Sequence, residues 1–287
     1  MMCLLALLLG LLTSCEKPYV GVKAEESEEN YNVILRVTGF ETIDFDDAAS
    51  TRASDEVTNL CSRLNVVVYN GETKLKSVAQ KKDDDNFGVI ALSLPQGTYK
   101  VAVIGHNSDG TATVTTLDKI SFKNNLVTDT FVYCDELEVT GDQQVVDVEL
   151  RRVVAMFRLM LTEPLPADIR QLKFYYTGGS STLSANTGYG SVNSKQTVVL
   201  DVASGQTQFE VYTIPHAETG KLKLTITALD ATQTPIHERL FEEVPVQRNK
   251  ITRYTGSLFE EAASESGGLN MRMHLSSEWD GEEEYQF

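Results

Sequence analysis

Catalysis needs a nucleophile, a base and an orienting group within reach of one another, or a cluster of metal-ligating side chains. The chain offers four histidines, His106, His216, His237 and His274. They fall singly, with no HExxH and no paired spacing, so surface and turn positions fit them better than ligand roles. Gly105-His106-Asn107-Ser108-Asp109-Gly110 superficially matches a nucleophile elbow, but two residues rather than one separate the Ser from the preceding Gly. It reads as a hairpin turn. Asp83-Asp84-Asp85 lacks the Gly and terminal Glu of an EF-hand loop and reads as a solvated turn. Gly178-Gly179-Ser180-Ser181 and Gly188-Tyr189-Gly190 lead into no helix that could complete a phosphate cradle. Carboxylates are plentiful, yet they sit mainly in tails and turns. The one Trp, Trp279, lies in the acidic tail, so a glycosidase pair in an aromatic-lined cleft is poorly supplied. No enzyme, cofactor site or metal site is readable.

The residue type with the clearest chemistry is at the amino end. Residues 4–12 are an apolar run of signal-peptide length, closed by Leu12-Thr13-Ser14-Cys15 before the chain turns polar at Glu16-Lys17. That tetrad resembles a bacterial lipobox, in which the thiol of Cys15 carries the lipid and begins the mature chain. An ordinary cleaved signal or a short buried helix is the alternative. No Lys or Arg precedes the run, which places the expected translation start upstream of Met1. With Cys15 acylated and Cys3 removed, Cys61 and Cys134 remain, and they read either as one disulfide or as two unpaired buried thiols.

Composition narrows the partners. The 287 residues carry 25 Lys+Arg against 41 Asp+Glu, a net charge of −16. So acidic a chain is repelled by nucleic acid and by anionic lipid surfaces. A content of 41% hydrophobic and 23% charged residues reads as globular. Beyond residue 15 no apolar run approaches the roughly 18 residues of a membrane-spanning helix.

The elements that must position any site alternate with period two. Residues 31–37, 63–69, 87–94, 98–105, 111–117, 129–133 and 145–150 form one series, separated by turn clusters such as Asn70-Gly71, Pro95-Gln96-Gly97 and Gly141-Asp142. A second series covers 152–161, 169–176, 197–202, 208–214, 221–229, 236–241 and 250–258. No apolar stripe of helical spacing persists. The expected fold is all-β, with two tandem β-sandwiches of about seven strands. Their expected bounds are 31–151 and 152–259, behind a signal peptide (1–14) and an acidic tether (15–30). Residues 260–287 hold eight acidic residues and one Arg. Within them, behind a Gly-rich hinge, Leu269, Met271, Met273 and Leu275 alternate with polar residues. This segment, 269–275, reads either as a last strand folding back or as a strand donated to a neighbour.

The order of these parts resembles the FimB-like fimbrial anchor lipoproteins, relatives of the fimbrillins of Bacteroidetes-type pili. The motifs are the Cys15 lipobox, the strand 31–37, Thr51-Arg52-Ala53, Leu64–Gly71, Leu94–Val101 and Val148–Ala155. The resemblance implies transthyretin-like sandwiches and no enzymatic activity. It also implies an outer-membrane, surface-exposed lipoprotein that anchors a pilus or forms an accessory part of it, joined to other fimbrial subunits by strand exchange. Arg52 matches a position where shaft subunits are cut, and an anchor held by Cys15 is expected to stay uncut. The rival function is a surface glycan-binding lipoprotein, which predicts exposed aromatic platforms.

Overall fold

The computed structural model describes residues 31–40, 57–259, 273–276 and 279–286. In chain order the strands are β1 (Val33–Phe40), β2 (Arg63–Asn70), β3 (Thr73–Lys81), β4 (Val89–Leu92), β5 (Gly97–His106), β6 (Thr113–Thr116), β7 (Lys119–Ser121), β8 (Thr130–Val139), β9 (Gln144–Arg152) and β10 (Ala155–Leu161). They continue with β11 (Gln171–Thr177), β12 (Thr182–Ser184), β13 (Tyr189–Gly190), β14 (Gln196–Asp201), β15 (Gln208–Thr213), β16 (Thr219–Leu229), β17 (Pro235–Gln247), β18 (Ile251–Gly256), β19 (Met273–Ser276) and β20 (Trp279–Gln286). Among the described residues the single α-helical stretch is the one turn Val57–Leu60. The protein is all-β, as its period-two alternation requires.

One pairing pattern occurs twice. Before Val153, the antiparallel order β3-β2-β5-β8 faces β4-β1-β9, in which β1 runs antiparallel to β4 and parallel to β9. After Val154, the antiparallel order β14-β11-β16-β17 faces β15-β10-β18, again with the first strand antiparallel to one neighbour and parallel to the other. Each pair of layers closes on its own core. The first is built from Val33, Leu35, Val66, Val101, Phe131 and Leu150, the second from Phe157, Leu159, Phe174, Phe209, Leu224 and Val244. Each such side chain contributes roughly 1.5–3 kcal/mol when fully buried.

A third sheet and a third core join the halves. The order β13-β12-β7-β6 takes two strands from each side, with Leu183 opposite Ile120. Beneath it Val67, Ile104, Phe122 and Val132 of the first half pack with Met156, Leu183, Ile214 and Ile251 of the second. The connection between β9 and β10 is only Val153-Val154, both fully buried. Val153 N–H donates to Thr130 O and Asn249 N–H donates to Val154 O, so this link is hydrogen-bonded to both halves. Beside it the buried Arg152 donates Nε and Nη2 to the two carboxylate oxygens of Asp129, at 2.8 and 3.0 Å, and Nη1 to Asn249 Oδ1 at 3.1 Å. Its guanidinium carbon lies 4.7 Å from the Phe131 ring centre.

The strands outside the expected alternating series are the short junction strands β7, β12 and β13 and two border strands, β3 and β20. β3 is a lysine-bearing edge on which only Gln80 is buried. β20 places acidic tail residues in register with β18, in parallel, and β19 pairs with β20 as the outermost strand of that sheet.

Candidate functional site

The histidine motif is a closed structural network. Ser108 N–H and Oγ both approach His106 Nδ1, at 3.2 and 2.7 Å, which makes Nδ1 the acceptor. His106 Nε2 therefore donates to Asn65 Oδ1 at 2.8 Å, and that oxygen also accepts the Ala112 N–H. A Ser-His-Asn chain of this kind could activate a nucleophile were it open to substrate. Here Asn65, His106 and Ser108 are 3%, 0% and 3% exposed, so no substrate reaches the hydroxyl. Burial, helped by the positive charge of Arg63, pushes the imidazole down to about 4 and keeps it neutral. The network ties the 106–112 turn to β2. Gly105 lacks a side chain because a Cβ there would lie 2.7 Å from Cys61 Sγ.

The other sequence motifs also resolve into structure. Asp84 Oδ2 accepts the Lys81 N–H at 2.8 Å while Asp84 N–H donates to Lys81 O at 2.9 Å, which closes the turn between β3 and β4. Gly178 adopts φ +98°, and a Cβ there would lie 2.2 Å from the Lys221 carbonyl oxygen, so this glycine serves close backbone approach. No group of three or more His, Cys, Asp or Glu side chains converges among the described residues. A cavity of about 370 Å³ opens at the end of β11, lined by Arg170, Gln171, Asp201, Asp230 and Gln233 with no aromatic ring.

Of the two readings of Cys61 and Cys134, one disulfide or two unpaired thiols, the structure has the second: both thiols are free, Cys61 buried and Cys134 half-buried. Cys61 packs in the first core. Cys134 faces the opposite side of the β5–β8 sheet, against the junction core, with Sγ 3.8 Å from Asn186 Oδ1. The sheet itself separates them. Burial raises both thiols above their ordinary value, which keeps them protonated and unreactive.

The two segments for which strand exchange is expected from the sequence are β1 and the tail hairpin. β1 is held by four register pairs with β4 on one side and by seven with β9 on the other. Val33 and Leu35 are fully buried from its inner face. The β19–β20 hairpin joins the second half through β18. Arg253 Nη2 meets Glu284 Oε2 at 3.2 Å, Thr255 Oγ1 donates to Glu284 Oε1, and the Tyr254 and Tyr285 rings lie 4.9 Å apart. Met273 and Leu275 belong to β19. Cys15, Thr51-Arg52-Ala53, Leu269 and Met271 lie outside the described residues. No described helix is long and apolar enough to cross a membrane.

The chain belongs to the family of unknown function DUF6562, whose model matches residues 27–287. No curated protein matches it in sequence. Solved structures of similar fold include the fimbrial anchor protein Mfa2 from Porphyromonas gingivalis (12% identical over 72% of this chain and 80% of that one, TM-score 0.38). A fimbrial assembly protein from Parabacteroides distasonis is 13% identical over 81% and 91%, TM-score 0.38. A candidate adhesin from Bacteroides ovatus is 16% identical over 81% and 88%, TM-score 0.46.

Proposed function

We propose that this chain is a non-catalytic outer-membrane lipoprotein that anchors a fimbria or forms an accessory part of it, joined to other fimbrial subunits by strand exchange. The observation that carries the reading is an asymmetry between its two ends. The first strand, β1, is clamped between β4 and β9 with its apolar face buried, so the first sandwich is full and has no groove to offer. Among the described residues the last strands are the outermost ones of their sheet and join it through β18. A subunit that is closed at its acceptor end and carries an outer strand at its donor end suits the terminus of a polymer. Strand addition of this sort gains affinity from main-chain hydrogen bonds and specificity from alternate side chains in pockets.

In this reading residues 31–151 and 152–259 are tandem transthyretin-like sandwiches, a division supported by the repeated pairing pattern. The donated strand is 269–275, presenting Leu269, Met271, Met273 and Leu275. Cys15 carries the lipid, and Arg52 stays uncut, because cleavage there would release the chain from the membrane.

Electron microscopy of filaments on cells and in the medium, in wild type and Cys15→Ala, tests the anchor role. Filaments shed into the medium by the variant are expected. Unchanged filaments, or none in either strain, would remove the role.

A further inference from the structure

The edges of the antiparallel layers are not alike. In the first half, edge strand β3 carries Lys74, Lys76 and Lys81, charges of the kind that prevent edge-to-edge pairing. In the second half, edge strand β17 carries Glu238, Glu242, Glu243 and two prolines. β14, at the other edge of that layer, has neither defence. Its residues 196–200, Gln-Thr-Val-Val-Leu, are uncharged, and Val199 is 47% exposed.

The backbone of β14 is ready to pair. Val202 N–H donates to Arg170 O, which sets the phase of the antiparallel ladder with β11. Even-numbered residues therefore bond inward, and the N–H and C=O groups of Thr197, Val199 and Asp201 point outward. Among the described residues no strand lies beyond them. The inner face is also incomplete, since Val198 and Leu200 pack against the second core while remaining half-buried.

Charge identifies what fits this edge. The uncharged run is bounded by Lys195 at one end and Asp201 at the other. A second β14 laid antiparallel brings Lys195 of each copy opposite Asp201 of the other. A parallel copy places like charges together. Only the antiparallel arrangement satisfies both ends at once, and it is the arrangement a two-fold axis produces. We propose that β14 is the seam of a symmetric dimer of this chain. The axis passes through Val198, Thr197 exchanges main-chain hydrogen bonds with Val199 of the other copy, and the four-stranded layers of the two copies fuse into one eight-stranded sheet.

Sedimentation velocity of the full chain in detergent micelles tests this over a wide concentration range. A concentration-dependent dimer is expected, with Val199→Lys weakening it at least about tenfold. Lys195→Asp and Asp201→Lys should each weaken it by roughly tenfold, and the double exchange K195D/D201K should restore it. All three positions are exposed, so the variants test pairing rather than folding. Val198→Cys should give a covalent dimer on non-reducing gels, with the wild-type thiols as background. A monomer at every concentration overturns the proposal. So does a dimer indifferent to Val199→Lys, or a double exchange that fails to rescue. Monomeric protein whose Thr197 and Val199 amides resist hydrogen exchange would show the edge covered within the chain, and also overturns it.

Discussion

The layers β4-β1-β9 and β15-β10-β18 have the same pairing and different borders. On the first, β9 runs beside β1 over Gln144–Leu150 and meets β8 only at Arg151 and Arg152. Its exposed residues there include Asp147 and Glu149. On the second, the matching border of β18 is covered by β20 and then β19. One architecture has thus solved its edge problem twice, once with charged side chains and once with extra strands. The covered edge is built from tail residues, Met273–Ser276 and Trp279–Gln286, that lie beyond the core strands of the second half.

The largest expected effect lies where the two regions meet. Arg152→Ala leaves the half-buried Asp129 carboxylate without its buried partner, and should cost about 3 kcal/mol. Denaturation followed by probes in each half should then separate into two transitions. One unsplit transition at wild-type stability would contradict a shared junction.

Next in size, Leu35→Ala in β1 and Leu159→Ala in β10 each empty a fully buried position, at about 2–5 kcal/mol. Hydrogen exchange should place each loss in its own half. Equal loosening of both halves by either variant would mean that the repeated units do not behave as units.

The halves also differ in acid. His106 is neutral when folded and titrates near 4, against 6.5 for an ordinary histidine. The unfolded chain therefore binds the extra proton first. This contribution to stability is complete above pH 6.5 and is lost as pH falls towards 4, on the order of 3 kcal/mol in all. Loosening should begin in the first half, and the His106 ring resonances by NMR should stay those of neutral imidazole until about pH 4. Protonation near 6.5 in the folded protein would refute this.

The smallest effect belongs to the tail. Ending the chain at Phe259 removes the Tyr254–Tyr285 contact and the Arg253–Glu284 pair, about 1–2 kcal/mol together. Amides of β18 should lose protection while those of β9 do not change.

Much of this comparison is legible in residue order. Asn70-Gly71 marks the β2–β3 turn, where Gly71 has φ +56°. The alternation of Val33 and Leu35 with polar residues marks β1. Lysines and glutamates concealed β3 and β20, because their strand character comes from pairing at a border rather than from a buried face. The junction core had a signal that period-two reading passes over. Leu64 to Tyr69 are six consecutive buried residues, which means that β2 is covered on both faces. Cys61 and Cys134 carry no such signal, since which side of a sheet each thiol takes is settled only by register.

The position of β1 has a mechanical consequence. Tension applied at Tyr31 along this strand acts against β4 and β9 together, and its direction lies along both ladders. The ladder hydrogen bonds are then loaded in shear and must yield as a group, rather than opening one after another as when a strand is peeled from its end. A sandwich whose first strand is central can in this way hold against a steady pull with no covalent cross-link.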